Sequence, residues 1–228
     1  MNVFVTGGTG YMGQRFIRDL LARGHRVRAL VRAGSEKKLP MGAEPVIGNA
    51  LESSYAPSVP PSDTLVQLVG VAHPSPAKGA EFRRIDLPSG LAAVEAAKQA
   101  QHLVYVSVAH PAPMMKAYIE VRSQVEDAIV TGKLNATILR PWYVLGPGHR
   151  WPYLLLPFYK ACELIPATRE GAMRLGLVTL GQMINALVAA VENPARGVRI
   201  VTVPEIRAAG IARSGQRSTP HCAKISAP

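Results

Sequence analysis

Apolar and polar positions follow two alternating periods along this chain. Met1 to Thr6 is a short apolar and β-branched run, the pattern of a buried strand. Phe16, Ile17, Leu20 and Leu21 then recur at helical spacing, and Arg23-Gly24-His25 closes that helix with glycine in the usual stop position. Arg26 to Arg32 alternates Val27, Ala29 and Val31 against Arg28, Leu30 and Arg32, which predicts a second strand. Ala43 to Gly48 predicts a third, residues 52–64 a Ser- and Pro-rich loop, and Thr64 to Gly70 a fourth strand, of the apolar sort expected in mid-sheet. A helix from about Ser89 to Ala100 places Leu91, Val94 and Ala97 on one core-facing side, and Leu103 to Ser107 is a fifth strand. Lys116 to Thr131 is an amphipathic helix carrying Tyr118, Val121, Val125, Ala128 and Ile129, and Ala136 to Pro141 is a sixth strand that Trp142, Tyr143 and Val144 prolong. An apolar helix over 153–165, a strand from Arg174 to Thr179, a helix from Leu180 to Val191 and a strand from Val198 to Val203 complete the pattern. Strands alternating with helices predict an α/β domain over 1–206, a doubly wound parallel sheet with small cap elements at about 146–203. From about Arg207 the periodicity ends, and 207–228 reads as a disordered basic tail.

One junction carries chemistry. Between the first strand and the first helix stands Gly7-Gly-Thr-Gly10-Tyr-Met-Gly13. Gly7 supplies a backbone conformation closed to residues with a Cβ, Gly10 lets the main chain approach a pyrophosphate, and Gly13 lets the helix lie close on the strand. The helix start then offers N–H groups and partial positive charge to phosphates, so strand, turn and helix together predict a dinucleotide site. Preference between cofactors is set where the second strand ends. An acid there accepts from a ribose 2′-hydroxyl, whereas an arginine pairs with a 2′-phosphate. Arg32, followed by Ser35, predicts NADP(H) over NAD(H), with Glu36 as the competing ribose ligand.

Composition narrows the class. At 228 residues, 48% hydrophobic and 18% charged, the chain suits one globular α/β domain. Two cysteines, Cys162 and Cys222, give neither a disulfide framework nor metal-ligand spacing, so a reducing compartment and a cytoplasmic location are expected, with Cys162 in a core. With the first strand beginning at residue 2, no leader is expected, and no apolar run is long enough to span a bilayer. The net charge of +11 is spread along the chain, which argues for a basic surface suited to an anionic dinucleotide rather than a nucleic-acid footprint.

The loop, Val104-Tyr-Val-Ser107, Tyr118 with Arg122, and Thr137-Ile-Leu-Arg-Pro141 followed by Gly146-Pro-Gly148 together resemble the short-chain dehydrogenase/reductase superfamily. The likeness is to its extended and atypical branches, including NmrA-like and epimerase/dehydratase-like proteins, and covers about residues 1 to 205. It implies a Rossmann-type fold in which Gly7, Thr9, Gly10, Tyr11, Met12 and Gly13 meet the pyrophosphate. Asn49 and Ala50 would then flank adenine, Val69 and Gly70 would pass close to the cofactor, and Pro141, Trp142 and Tyr143 would flank nicotinamide. In the family pattern Tyr-x-x-x-Lys, tyrosine exchanges a proton with a substrate oxygen while lysine holds the nicotinamide ribose. Here Tyr118 keeps the tyrosine, Arg122 replaces the lysine, and Ser107 is the local hydroxyl expected to support substrate or cofactor. Trp142, Tyr143, His149, Arg150 and Trp151 form the densest aromatic and cationic stretch, beginning the substrate side. Three functions follow from the resemblance: an oxidoreductase on a small carbonyl or alcohol, a non-catalytic redox sensor or accessory subunit that meets a protein partner, and a sugar-nucleotide epimerase, for which the substrate region is short. No metal is expected, and the oligomeric state is left open.

Overall fold

The computed structural model describes residues 1–146 and 166–214, apart from the side chains of 166–169 and 210–214. In chain order the elements are β1 (Asn2–Thr6), α1 (Tyr11–Ala22), β2 (Arg26–Val31), β3 (Glu44–Ile47) and β4 (Ser62–Gln67). A π-helical turn (Phe82–Asp86) leads into α2 (Leu87–Ala96), then β5 (Ala100–Val106), α3 (Lys116–Thr131), β6 (Ala136–Leu139) and β7 (Tyr143–Leu145). The last are α4 (Pro166–Arg174), β8 (Leu177–Thr179), α5 (Leu180–Glu192), β9 (Val198–Val201) and α6 (Val203–Ser214).

Seven strands pair in parallel in the order β3-β2-β1-β4-β5-β6-β9. The order reverses at β1, and that reversal opens a crevice beyond the carboxyl ends of β1 and β4. Strand periodicity splits the core into two layers. Val3, Val5, Val66 and Val104 face Phe16, Leu20, Met183 and Leu187 of α1 and α5. Phe4, Leu65, Leu103 and Ile138 face Ala93, Ala96, Val125 and Ile129 of α2 and α3.

Four features differ from the sequence pattern. Leu91 is 43% exposed, because α2 turns its small residues inward: a Cβ on Gly90 would stand 2.5 Å from Val125 Cγ2, so only a smooth face fits against α3. β7 does not prolong β6, since Pro141 has no N–H for the ladder; it pairs instead with β8 in a separate two-stranded sheet. α5 and β9, expected in the cap, belong to the main layers. Finally, α6 runs past Arg207 to Ser214, where a tail was expected. Glu205 ties down its first turn: Thr202 N and Oγ1 both donate to Glu205 Oε2, at 2.7 and 2.6 Å, and Arg207 Nε donates to the Leu177 carbonyl at 2.9 Å. Residues 215–228, with the rest of the expected tail, and the expected helix over 153–165, with Cys162, lie outside the described residues.

One buried polar group gives stability a pH dependence. His102, 1% exposed, lies 3.0 Å from Thr137 Oγ1 and 3.5 Å from Thr64 Oγ1. Burial, helped by the Arg199 charge, lowers its pKa from 6.5 to about 4. The folded state therefore keeps His102 neutral while the unfolded chain takes up the proton, so stability is complete above pH 6.5 and is lost as pH falls toward 4. A depression of that size corresponds to about 3 kcal/mol. Urea unfolding of wild type and His102→Gln at pH 7 and pH 4.5 checks this. The wild type should lose about 2 kcal/mol more than the variant over that interval, the rest of the effect lying below pH 4.5, whereas equal losses would rule out His102 as the cause.

Candidate active site

β1 ends on Thr6 and turns at Gly7, whose φ of +78° is left-handed. A Cβ there would lie 2.7 Å from the Leu68 carbonyl carbon, so β1 and β4 close on each other only around glycine. Gly13 sits inside the joint rather than in the crevice: its Cβ would fall 2.2 Å from Gly7 O. Gly10 is the N-cap of α1, with no side-chain cap and no acid in the first turn. The partial positive charge of the helix start is therefore left for an external anion, the fit a dinucleotide pyrophosphate requires.

The crevice encloses about 380 Å³. Gly7, Thr9 and Gly10 line it from the turn, Arg32 and Ser35 from beyond β2, Asn49 and Ala50 from beyond β3, and Val69 and Gly70 from beyond β4. Nine residues expected at the cofactor thus meet in one groove. Its apolar walls, Leu30, Leu51, Leu68 and Ile85, were not foreseen. Glu36 turns its carboxylate onto Gly34 N at 3.1 Å, so the acid that competed with Arg32 closes its own loop instead. Asn49 is similarly engaged: Oδ1 accepts from Leu51 N at 3.1 Å and Nδ2 donates to Glu52 Oε1 at 2.5 Å. It shapes the groove as a turn residue.

At Gly70 the groove passes into a smaller cavity of about 170 Å³ that shares Leu68, Val69 and Gly70 and adds Met12, Tyr118 and Arg122. Two pairs, each spaced by one helical turn, interlock there. Phe82 and Asp86 come from the π-helical turn, Tyr118 and Arg122 from α3. The Phe82 and Tyr118 ring centroids are 4.7 Å apart, and Arg122 Nη2 donates to Asp86 Oδ1 at 2.5 Å. Arg122 Nη1 donates to the Val106 carbonyl at 2.7 Å, and the guanidinium carbon lies 5.1 Å from the Tyr118 ring centroid, over its face. Asp86 Oδ2 also accepts from Val71 N at 3.0 Å. Burial pushes the Asp86 carboxyl above its usual range, against the pull of Arg122 and the Val71 N–H. Both charges are buried, and Gly70 is what lets them reach the groove floor: a Cβ there would lie 2.6 Å from Arg122 Nη2. Arg122 therefore lines the cavity, but its amino nitrogens are given to protein partners rather than held open as a fork for a ribose. Asp86 was missed because its partner lies far away in sequence.

Other expected positions fall elsewhere. Ser107 is buried and donates to Glu126 Oε1. Glu126 also takes Arg140 Nε at 3.1 Å, and its other oxygen pairs with Arg140 Nη2. One residue past β5, Ser107 keeps the side of Tyr105, which faces α3, and it lines neither the groove nor the smaller cavity. The Pro141 carbonyl accepts from Ala109 N at 2.9 Å, Trp142 packs on the α1–α5 core layer, and Tyr143 begins β7. None of the three lines either cavity. Tyr11, 48% exposed, opens α1 with its hydroxyl beside Gly146. His149, Arg150 and Trp151 lie outside the described residues. Among the described residues no group of three His, Cys, Asp or Glu side chains has metal-site geometry, and no helix is long and apolar enough to cross a membrane.

Residues 7–149 match the protein family described as NAD(P)H-binding. A 4-hydroxy-2-methyl-3-oxo-4-farnesyl-3,4-dihydroquinoline-1-oxide ketoreductase of Stigmatella aurantiaca is 28% identical over 171 residues, covering 64% of this chain and 51% of that protein. A ceramide reductase of Caulobacter vibrioides is 24% identical over 213 residues, covering 91% of this chain and 66% of that protein. The chain thus spans about half to two thirds of the length of these relatives. Among solved structures, the Bordetella bronchiseptica enzyme WbmH in complex with NAD+ superposes with a TM-score of 0.64 at 20% identity, over 96% of this chain and 83% of that one, a likeness of fold.

Proposed function

This chain belongs to the protein family described as NAD(P)H-binding, and we propose that it is an NADP(H)-dependent oxidoreductase of the short-chain dehydrogenase/reductase type acting on a carbonyl or alcohol group. The observation that carries this reading is the placement of Tyr118 in a cavity that shares Leu68, Val69 and Gly70 with the groove. A phenol there stands at the end of a nucleotide-shaped cleft, as proton exchange with a substrate oxygen requires.

Bound nicotinamide supplies or accepts the hydride. Gly7, Thr9 and Gly10 hold the pyrophosphate at the start of α1, and Arg32 with Ser35 holds the 2′-phosphate. Tyr118 Oη gives its proton to the substrate oxygen as that oxygen gains charge, so hydride and proton together convert carbonyl to alcohol. Arg122, fixed by Asp86, keeps the Tyr118 ring in place by lying on its face.

Titration of wild type and Arg32→Ala with NADPH and NADH, followed by NADPH oxidation against a carbonyl panel, tests the reading. Loss of a charge-assisted phosphate contact should weaken NADPH binding roughly ten- to a hundredfold and leave NADH binding unchanged. Equal effects on both cofactors would remove the 2′-phosphate assignment. A second reading, cofactor binding without turnover, is favoured by Ser107 and Arg122 both being engaged by protein groups. It predicts the same titration with no oxidation on any carbonyl.

A further inference from the structure

Tyr118 also borders a second opening, of about 320 Å³, lined by Pro76, Phe82, Pro113, Met114 and Met115. Tyr118 belongs to its wall and also to the wall of the cavity beside the groove, so one phenol stands between the cofactor end and this pocket. Lys116 is the sole charged side chain among the described residues that line it. Met114 is 58% exposed, a large apolar side chain at the mouth, and Met115 takes a left-handed φ of 64° where α3 begins. Methionine adapts its shape to flexible apolar ligands, and residues held in left-handed backbone concentrate at ligand sites. A sugar or a nucleotide in such a pocket would strip water from many hydroxyls and find few partners. An alkyl chain loses nothing there.

We infer that the substrate is an uncharged ketone, or the corresponding secondary alcohol, whose aliphatic chain lies in this pocket with its oxygen at Tyr118. The inference rests on the reductase reading for the reaction: hydride from the reduced nicotinamide goes to the carbonyl carbon, the Tyr118 proton goes to oxygen, and the nicotinamide is oxidised. The pocket itself is separable from that reading and can be tested by binding alone.

The experiment uses the full chain saturated with NADPH and the series butan-2-one, hexan-2-one and octan-2-one. Calorimetry measures affinity and NADPH absorbance measures turnover. Each buried methylene is worth about fourfold, so affinity and kcat/KM should rise on the order of a hundredfold across the four added carbons. Met114→Asp, at a half-exposed site that the core does not need, should lower octan-2-one affinity at least tenfold and flatten the series. Chain-length-independent affinity, or no effect of Met114→Asp, overturns the inference. Tight, Met114-dependent octan-2-one binding without oxidation of NADPH upholds the pocket and removes the reductase reading. Turnover with equal kcat/KM for all three ketones does the reverse.

Discussion

Asp86→Leu is expected to lower the unfolding free energy by about 3–5 kcal/mol, because it leaves Arg122 charged and buried without its carboxylate. At this chain length such a loss corresponds to a fall of about 10 °C in Tm. The Asp86 side chain is wholly buried, so water cannot take its place, and the Val71 N–H loses its acceptor as well. Arg122→Met alone should cost a similar amount, since it strands the carboxylate. The double variant Asp86→Leu/Arg122→Met removes both charges and should recover most of the stability. Urea and thermal unfolding of the four proteins complete the cycle. If the two single losses simply add in the double variant, the pair is not coupled, and Asp86 then has no part in fixing the face on which Tyr118 rests.

Much of the site was legible because its signals are local. The strand, Gly7-Gly-Thr-Gly10 and helix lie within one short stretch, and Arg32 sits where a twisted parallel sheet must bring the end of β2 beside the phosphate turn. The failures have different causes. Asp86 occurs in Phe82-Arg-Arg-Ile-Asp86, a stretch to which the apolar pattern assigns no element, and the π-helical turn buries Phe82 and Asp86 together. Its partner lies 36 residues away, beyond any periodic pattern. Ser107 could have been placed: it has the parity of Tyr105, an aromatic side chain inside an apolar strand, and a buried Tyr105 turns Ser107 toward the helices as well. The missed helical turns after Arg207 had a signal too, in Thr202-x-x-Glu205 before Ile206. Leu91 was misplaced because hydrophobicity alone was followed, while the fit between α2 and α3 selects residues small enough for close approach.

Tyr118→Phe should lower kcat by 10²- to 10⁴-fold, the range for removing a general acid, with the Kd for NADPH unchanged. The substitution is narrow. Phenylalanine keeps the ring against Phe82 and beneath the Arg122 guanidinium, so packing and cation contact survive and only the hydroxyl goes. A loss of rate with unaltered unfolding and cofactor titrations therefore reports on the proton and not on the fold. Octan-2-one reduction under NADPH saturation, in single-turnover and steady-state form, gives the number. Retention of full turnover would mean that the proton comes from another group or from water, and that Tyr118 is the partition between cofactor groove and apolar pocket without being the acid. Tyr118→Ala separates these roles further. It removes both ring contacts, so a partition role predicts weaker ketone binding in the alanine variant alone, whereas a proton role predicts equal loss of kcat in both.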